Sequence, residues 1–202
     1  MKKVLTYVIC PLIIIALAYL LVRSIQQPVQ FNKEKSAREA DAITILKDIR
    51  TLQVAYKNVY NHYAPAMDSL IDFYKNGEMT IVKQIGSMDD SLAVAQKRVR
   101  REIMKMPVKD TIFKDRASFN PESLRTIPYS GGDPVILKSD IKVVSGVNVP
   151  LFEADIPYNS LLKGMDHQLL VNLNYERTDQ GRYPGLQVGS IDNPNNNAGN
   201  WE

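Results

Sequence analysis

Residue types that carry chemistry are scarce in this chain of 202 residues. It holds one cysteine, Cys10, and two histidines, His62 and His167, which excludes multi-cysteine and histidine-rich metal sites. An acid stands directly before a histidine once, at Asp166-His167, and such a pair can act as general acid and base. Asp166 also marks a predicted helix start, and we prefer the N-cap role for it.

The sequence lacks the common motifs of catalysis and nucleotide binding. The run Ser130-Gly131-Gly132-Asp133 is glycine-rich, but it has neither the lysine nor the following helix of a phosphate-binding loop. Neither a G-x-S-x-G elbow nor an H-E-x-x-H pair occurs. We therefore predict a protein that is not an enzyme and has no catalytic, cofactor-binding or metal-binding residues.

Net positive charge is confined to the N-terminus. The chain has 25 Lys and Arg residues against 22 Asp and Glu residues, and its isoelectric point is near 8.8. Lys2, Lys3 and Arg23 flank the first apolar segment, and the chain from Ser24 onward is electrically balanced. Phosphate backbones require concentrated positive charge, so we predict no nucleic-acid partner.

The first apolar segment, residues 4–22, reads VLTYVICPLIIIALAYLLV and contains no charged residue. A helix of this length spans about 28 Å, close to the hydrocarbon thickness of a bilayer. We predict a transmembrane anchor over residues 1–23 that contacts membrane lipid through residues 4–22. Lys2 and Lys3 favour a cytoplasmic N-terminus, which predicts a single-pass inner-membrane protein with a periplasmic C-terminal domain. Signal-peptidase cleavage after Ala18 is the alternative.

A polar linker, residues 24–32, follows the anchor, and Pro28 is expected to kink or break the helix there. Apolar residues then recur at steps of three and four through a long helix predicted over residues 33–63. This stripe is either part of the protein's own core or an interface with another helix. Its central members are Ile45, Ile49, Leu52, Tyr56 and Val59.

Two further helices complete a predicted helical region over residues 33–106. The first covers residues 67–76 and ends at Gly77. The second covers residues 89–106 and carries a basic face, which is a partner site, a contact with anionic lipid or only a solvated surface. The five cations of this face are Lys97, Arg98, Arg100, Arg101 and Lys105.

Residues 107–202 are predicted to be an α+β region with a hairpin, forming one domain with the helical region. The β-branched runs 135–144 and 147–152 flank Ser145-Gly146, a pattern typical of a hairpin. A last helix over residues 166–179 and a docked Trp201 are also expected. The predicted fold class is α+β, with a transmembrane helix, a long amphipathic helix, small helices and a short antiparallel sheet.

The first third of the chain resembles the N-terminal half of type IV pilins and pseudopilins. The resemblance lies in a short basic start, an apolar helix and the run READAITILKDIRTLQVAYKNVYNHYAP. It implies a long helix that packs subunits together and carries a β-sheet on its outer half. The chain lacks the prepilin cleavage motif, with neither the glycine before an aromatic residue nor the early glutamate.

Other segments resemble an uncharacterised family of single-pass envelope proteins from Gram-negative bacteria. They are DSLIDFYKNG, SLRTIPY and the C-terminal run NLNYERTDQGRYPGLQVGSIDNPNNNAGNWE. We predict a membrane-anchored, non-enzymatic structural or assembly component of a cell-envelope machine, pilin-like or secretion-associated, that forms homo- or hetero-oligomers with other envelope proteins.

An anchored periplasmic module that binds a glycan, peptide or lipid is the alternative function. Aromatic residues in the second half of the chain would line its site. They are Phe152, Tyr158, Tyr175, Tyr183 and Trp201.

Overall fold

The computed structural model describes residues 10–85, 100–116 and 119–202. Its first element, α1, is a single helix of 51 residues, Cys10–Tyr60, about 76 Å long. The linker predicted at residues 24–32 is wrong, because that segment is helical and Pro28 lies inside α1. A proline removes one helical hydrogen bond, but Phe31, three residues later, is buried against the body and holds the next turn in place.

The first half of α1 is exposed, and we call it the bare half. The second half packs against the rest of the folded protein, which we call the body. Residues 11–27 are all exposed, including the apolar Leu12, Ile15 and Leu20. Within the described ranges, α1 is the one helix long and apolar enough to cross a membrane. Exposed apolar surface is favourable in lipid and unfavourable in water. This N-terminal helix is therefore compatible with single-pass membrane anchoring.

A short helix and a two-stranded ribbon follow α1. Helix α2, Met67–Asn76, is as predicted and ends at Gly77, whose N–H donates to the Phe73 carbonyl oxygen at 2.8 Å. The ribbon pairs β1, Glu78–Ile85, with β2, Arg100–Pro107, in antiparallel register.

The helix predicted over residues 89–106 is therefore wrong for residues 100–106, which belong to β2. Residues 86–99 lie outside the described part of the chain. The local spacing of apolar residues fits a helix, but pairing with β1, more distant in sequence, overrides it. The predicted helical region therefore contains a β-ribbon as well as helices.

A three-stranded antiparallel sheet packs on the second half of α1. Its strands are β3, Ile136–Val144, β4, Val147–Pro157, and β5, Gly185–Gly189, in the order β3-β4-β5. The predicted hairpin is confirmed, with φ of 51° at Ser145 and 83° at Gly146. Two positive φ angles in a two-residue loop make a type I′ turn, which suits the twist of antiparallel strands.

The core lies between α1 and the inner face of this sheet. From α1 come Ala42, Leu46, Ile49 and Leu52, and from the sheet Phe152, Ala154, Ile156, Leu186 and Val188. Burial of these side chains supplies the main apolar contribution to the stability of the body.

Short helices and a C-terminal tail complete the body. They are α3, Val108–Thr111, a 3₁₀ turn, Pro121–Leu124, α4, Tyr158–Leu161, and α5, His167–Asp179. In the tail, Gly199 forms a β-bridge with Val188, and Trp201 packs on the core. The predicted α+β class, with a long N-terminal helix and small antiparallel sheets, is confirmed.

Candidate functional site

The junction where α1 leaves its bare half and enters the body is the most distinctive site. Phe31 of α1 is only 8% exposed and belongs to the core. One turn earlier, the Gln27 amide donates a hydrogen bond to the Asp166 carboxylate, which also caps α5 by accepting from the Leu169 N–H at 2.9 Å. The body therefore begins about 6 Å beyond Arg23 along the helix.

Arg38 ties the same stretch of α1 to the end of α4. Its guanidinium donates to the carbonyl oxygens of Leu161 and Lys163, each at 3.1 Å. Carbonyl groups at a helix end lack partners within the helix, so an arginine satisfies them well. The guanidinium also lies over the ring of Tyr129, 4.8 Å from its centroid.

Tyr158 is the centre of a buried network that joins α1, α4 and α5. Its hydroxyl donates to Glu39 Oε1 at 2.6 Å and accepts from Arg177 Nη2 at 3.2 Å. Burial, and then the negative charge of Glu39, raise the pKa of Tyr158, so its hydroxyl stays protonated and keeps donating. These contacts fix the direction of α1 relative to the body.

The predicted stripe on α1 is divided between core and surface. Ile49 and Leu52 are fully buried, and Ile45 and Tyr56 are partly buried. Val59 is 36% exposed. The same face also buries Leu46 and Gln53 completely. The sequence pattern placed neither of these two residues in the stripe.

The predicted basic face is not on a helix where the structure describes it. Arg100, Arg101 and Lys105 belong to β2, and Lys105 is exposed. Lys97 and Arg98 lie outside the described residues.

A charged cluster lies on the outer face of the sheet, away from α1. The Lys138 ammonium donates to Glu153 Oε1 at 2.8 Å and to Asp155 Oδ2 at 3.0 Å. The carboxylate side chains are only 8% and 2% exposed, respectively, and Asp155 Oδ1 has no hydrogen-bond partner among the described residues.

The two carboxyl groups respond differently to this environment. Burial raises the pKa of Asp155 to about 6, in spite of Lys138. For Glu153, burial acts in the same direction, but hydrogen bonds from Lys138 and from the Ile191 N–H outweigh it and lower the pKa. Under mildly acidic conditions the pair can therefore bind a proton, mainly at Asp155.

A surface groove of about 740 Å³ lies between α1 and residues 115–116 and 119–123. Ile45 and Phe119 are its apolar lining residues, and an ion pair between Asp48 and Arg116 stands at its side. Across the described residues, no group of three or more His, Cys, Asp or Glu side chains is placed to hold a metal ion.

The aromatic residues of the alternative binding function differ widely in exposure. Phe152 and Tyr158 are core residues at 1% and 0% exposure, whereas Tyr175 is 75% exposed. Tyr183 and Trp201 are partly buried.

The charged cluster and the Tyr158 network were missed by sequence reasoning. The strand predicted from the sequence ends at Phe152, whereas β4 continues to Pro157. In that continuation Glu153 and Asp155 point to the same face of the strand. Reading that alternation further, with Lys138 in the facing strand, would have indicated the cluster. Glu39 and Tyr158 are 119 positions apart, and no local pattern joins them.

Comparison with known proteins gives no relative for this architecture. No protein-family profile, curated protein or solved structure matches the chain significantly.

Proposed function

We propose that this protein is a membrane-anchored, non-enzymatic structural or assembly component of a cell-envelope machine. The observation that carries the proposal is the continuity of α1, which runs unbroken from its bare apolar half into the core. An anchored enzyme or sensor needs only a flexible tether between its membrane helix and its folded body. An unbroken helix clamped at Gln27, Arg38 and Glu39 instead holds the body at a fixed position over the membrane.

The arrangement also agrees with what the resemblance to pilins and pseudopilins implies. In both cases a long helix has a bare first half, and an antiparallel sheet covers its second half. Without a prepilin cleavage motif, the anchor of this chain stays in the bilayer. The protein therefore acts as a fixed subunit that meets other envelope proteins.

An insertion in α1 tests the mechanical role. Gly-Ser-Gly-Ser placed between Val29 and Gln30 interrupts the helix, and the same insertion between Ser145 and Gly146 lengthens an exposed turn. We expect the first variant to lose most of its detergent-stable complexes on native gels while its body stays protease-resistant. The second variant should keep them. Unchanged complexes in the α1 variant would refute a rigid scaffold.

The proposed location is the inner membrane, with the N-terminus in the cytoplasm and the body in the periplasm. Lys2 and Lys3 before the apolar segment support this orientation. Alkaline phosphatase fused after Glu202 is active only outside the cytoplasm, so we expect an active fusion. An inactive phosphatase together with a fluorescent cytoplasmic reporter at the same position would reverse the orientation.

A binding module is the second candidate, and the groove beside Ile45 and Phe119 favours it. Its volume of about 740 Å³ is that of a small-ligand site. Muropeptides, short peptides and lipid headgroups are the ligands to test. A ligand that raises the unfolding temperature of the wild-type protein, but not that of Phe119→Ala, would support a binding function over a scaffold function.

A further inference from the structure

β3 is an open edge of the three-stranded sheet. At the opposite edge, the C-terminal tail covers β5: the Gly189 N–H donates to the Ala198 carbonyl oxygen and the Asn200 N–H to that of Gln187, each at 3.0 Å. Within the described ranges, β3 pairs with β4 alone over Ile136–Val144. An uncovered edge strand presents backbone groups that can pair with a further strand, which we call the guest strand.

The backbone groups of β3 that point outward belong to alternate residues. Val144 and Val147 pair across the two-residue turn, so β4 bonds with Val144 and with every second residue before it. The N–H groups of Val143 and Ile141 therefore point away from β4. In agreement with this pattern, the Ile141 N–H donates to the carboxylate of its neighbour Asp140 at 2.8 Å. A side chain thus occupies the position that a carbonyl group of a guest strand would take.

A groove of about 360 Å³ lies between this edge and the segment that follows α1. Ile141 and Val143 are 56% and 69% exposed, and they lie on the same face of β3 as Leu137, which packs against the core. A guest strand would cover these apolar side chains with its own. The groove is lined by Ser139, Asp140, Ile141, His62, Tyr63 and Pro65.

Asp140 supplies the charge that selects the guest strand. The two lysines of β3 already have acidic partners, Lys138 in the charged cluster and Lys142 at 3.4 Å from Asp192. Among the described residues, Asp140 forms no ion pair, and its carboxylate accepts from the Ile141 N–H. A guest carbonyl group that takes this N–H frees the carboxylate, so a basic side chain beside Asp140 is the complementary charge.

The direction of α1 excludes a second copy in the same bilayer as the guest. Glu39 of α1 contacts Tyr158, directly after β4, whereas the ring of Tyr63, past the end of α1, lies 4.7 Å from that of Phe152 within β4. β4 therefore runs opposite to α1, and β3 runs in the direction of α1, away from the bare half. An antiparallel β3 from a second copy would reverse the α1 of that copy and point its apolar half away from the bilayer. A parallel copy related by a twofold axis would align each charge of β3 with itself, which destabilises pairing.

We propose that the β3 edge is a docking site for an extended segment of another envelope protein, in which apolar residues alternate and one basic residue lies beside Asp140. The segment adds to β3 as an antiparallel strand, accepts hydrogen bonds from the N–H groups of Ile141 and Val143, and places an apolar side chain in the groove. This inference rests on the proposed assembly function and names the chemistry of the partner.

The test uses the full-length protein in a non-ionic detergent and two fluorescent peptides of the same length as β3. Both alternate serine with valine, and the central serine is replaced by lysine in one and by glutamate in the other. By fluorescence anisotropy, we expect the lysine peptide to bind at least tenfold more tightly than the glutamate peptide. Asp140→Lys should reverse this preference, whereas Asp179→Lys, an exposed charge change at the end of α5, should leave it unchanged.

Two substitutions at Val143 test the backbone pairing. Val143→Pro removes an N–H that β4 does not use, so the hairpin stays paired while the guest strand loses a donor. Val143→Thr keeps both the N–H and the branched shape. We expect the proline variant to bind the lysine peptide at least tenfold more weakly than wild type and the threonine variant to bind it normally. Far-UV circular dichroism and the unfolding temperature check that both variants are folded.

Equal binding of the two peptides to wild type, or an unchanged preference in Asp140→Lys, would overturn the docking site. Equal affinity of Val143→Pro and Val143→Thr for the lysine peptide, or a homodimer in detergent that Val143→Pro dissociates, would overturn it too. If the docking site fails but the Val29–Gln30 insertion still disperses the native complexes, the assembly function stands without it.

Discussion

At the scale of single residues, two polar side chains buried in the body, Gln53 and Asp155, have contrasting surroundings. Gln53 is fully buried, and its side-chain amide makes two hydrogen bonds with the backbone of Ala64. Asp155 is buried beside Lys138 and Glu153 on the outer face of the sheet. In the first case every polar atom is paired, and in the second one carboxylate oxygen is not. Substitutions at these two positions should therefore have different effects, a loss of stability for Gln53 and a changed pH dependence for Asp155.

Gln53→Leu is expected to destabilise the protein strongly. The Ala64 N–H donates to Gln53 Oε1 at 2.8 Å, and Gln53 Nε2 donates to the Ala64 carbonyl oxygen at 3.1 Å. Leucine keeps the volume but leaves both buried backbone groups without partners, at a cost of about 2–4 kcal/mol. Urea denaturation measures the loss, and Val54→Ala, on the exposed side of α1, should change stability little. Equal effects of the two substitutions would contradict this role for Gln53.

Asp155→Asn should change how stability depends on pH. The folded-state pKa of Asp155 is about 6, above its ordinary value of 3.8, so the folded state binds the proton more tightly than the unfolded chain. The Asp155 contribution therefore becomes more favourable as pH falls through 6, and the gain is complete below 3.8. Between about pH 8 and pH 5, wild type should gain about 1 kcal/mol relative to Asp155→Asn.

Thermal unfolding at several pH values measures this difference, and Asp140→Asn, an exposed residue of β3, serves as the control. Ionised Glu153, whose folded-state pKa is lowered, contributes stability that is lost as the pH falls, a trend opposite to that of Asp155. Parallel pH profiles for wild type and Asp155→Asn would show that burial does not raise this pKa.

At the scale of elements, the β3–β4 turn shows how local sequence sets register. Ser145 and Gly146 both have positive φ, and glycine adopts such angles with little strain, whereas serine does not. Ser145→Asn should stabilise the protein by about 0.5–1 kcal/mol, because asparagine tolerates the left-handed region. Gly146→Ala should destabilise it by about 1 kcal/mol. Chemical denaturation of both variants provides the measurement, and a gain from Gly146→Ala would rule out the type I′ geometry.

Elements defined by local rules were predictable from the sequence. The capped helix at Asp166, the helix that ends at Gly77 and the Ser145-Gly146 hairpin each depend on neighbouring residues. β1 and β2 were not predictable in this way, since each depends on a partner 15 or more positions away. The exact set of buried residues on α1 also depends on the sheet it faces, which is why Leu46 was missed and Val59 is exposed.

The candidate site was less predictable than the fold. The sequence indicates a membrane helix and a long packed helix, but Pro28 and the polar residues around it suggested a break between them. The junction contacts of Gln27, Arg38 and Glu39 all reach residues more than 100 positions away. Such contacts depend on tertiary packing, and single-sequence periodicity carries no information on them.

At the scale of the whole molecule, the membrane helix and the body share one structural element. Phe31, nine residues past the apolar segment, already belongs to the core. The boundary of the body therefore falls within α1, before Gln27, and not at the end of a linker. A soluble fragment that respects this boundary should be more stable than one that begins where the sequence suggests.

A fragment beginning at Ser24 should be more stable than one beginning at Lys33. The shorter fragment loses Phe31, which is 8% exposed, and the hydrogen bond from Gln27 to Asp166. Burial of a phenylalanine contributes about 2–3 kcal/mol, so we expect a difference of about 2–4 kcal/mol in urea denaturation. Phe31→Ala in the longer fragment should reproduce most of the loss, and Val29→Ala, at a position 61% exposed, should not. Equal stability of the two fragments would mean that α1 joins the body only after Lys33 and that the membrane helix is loosely attached.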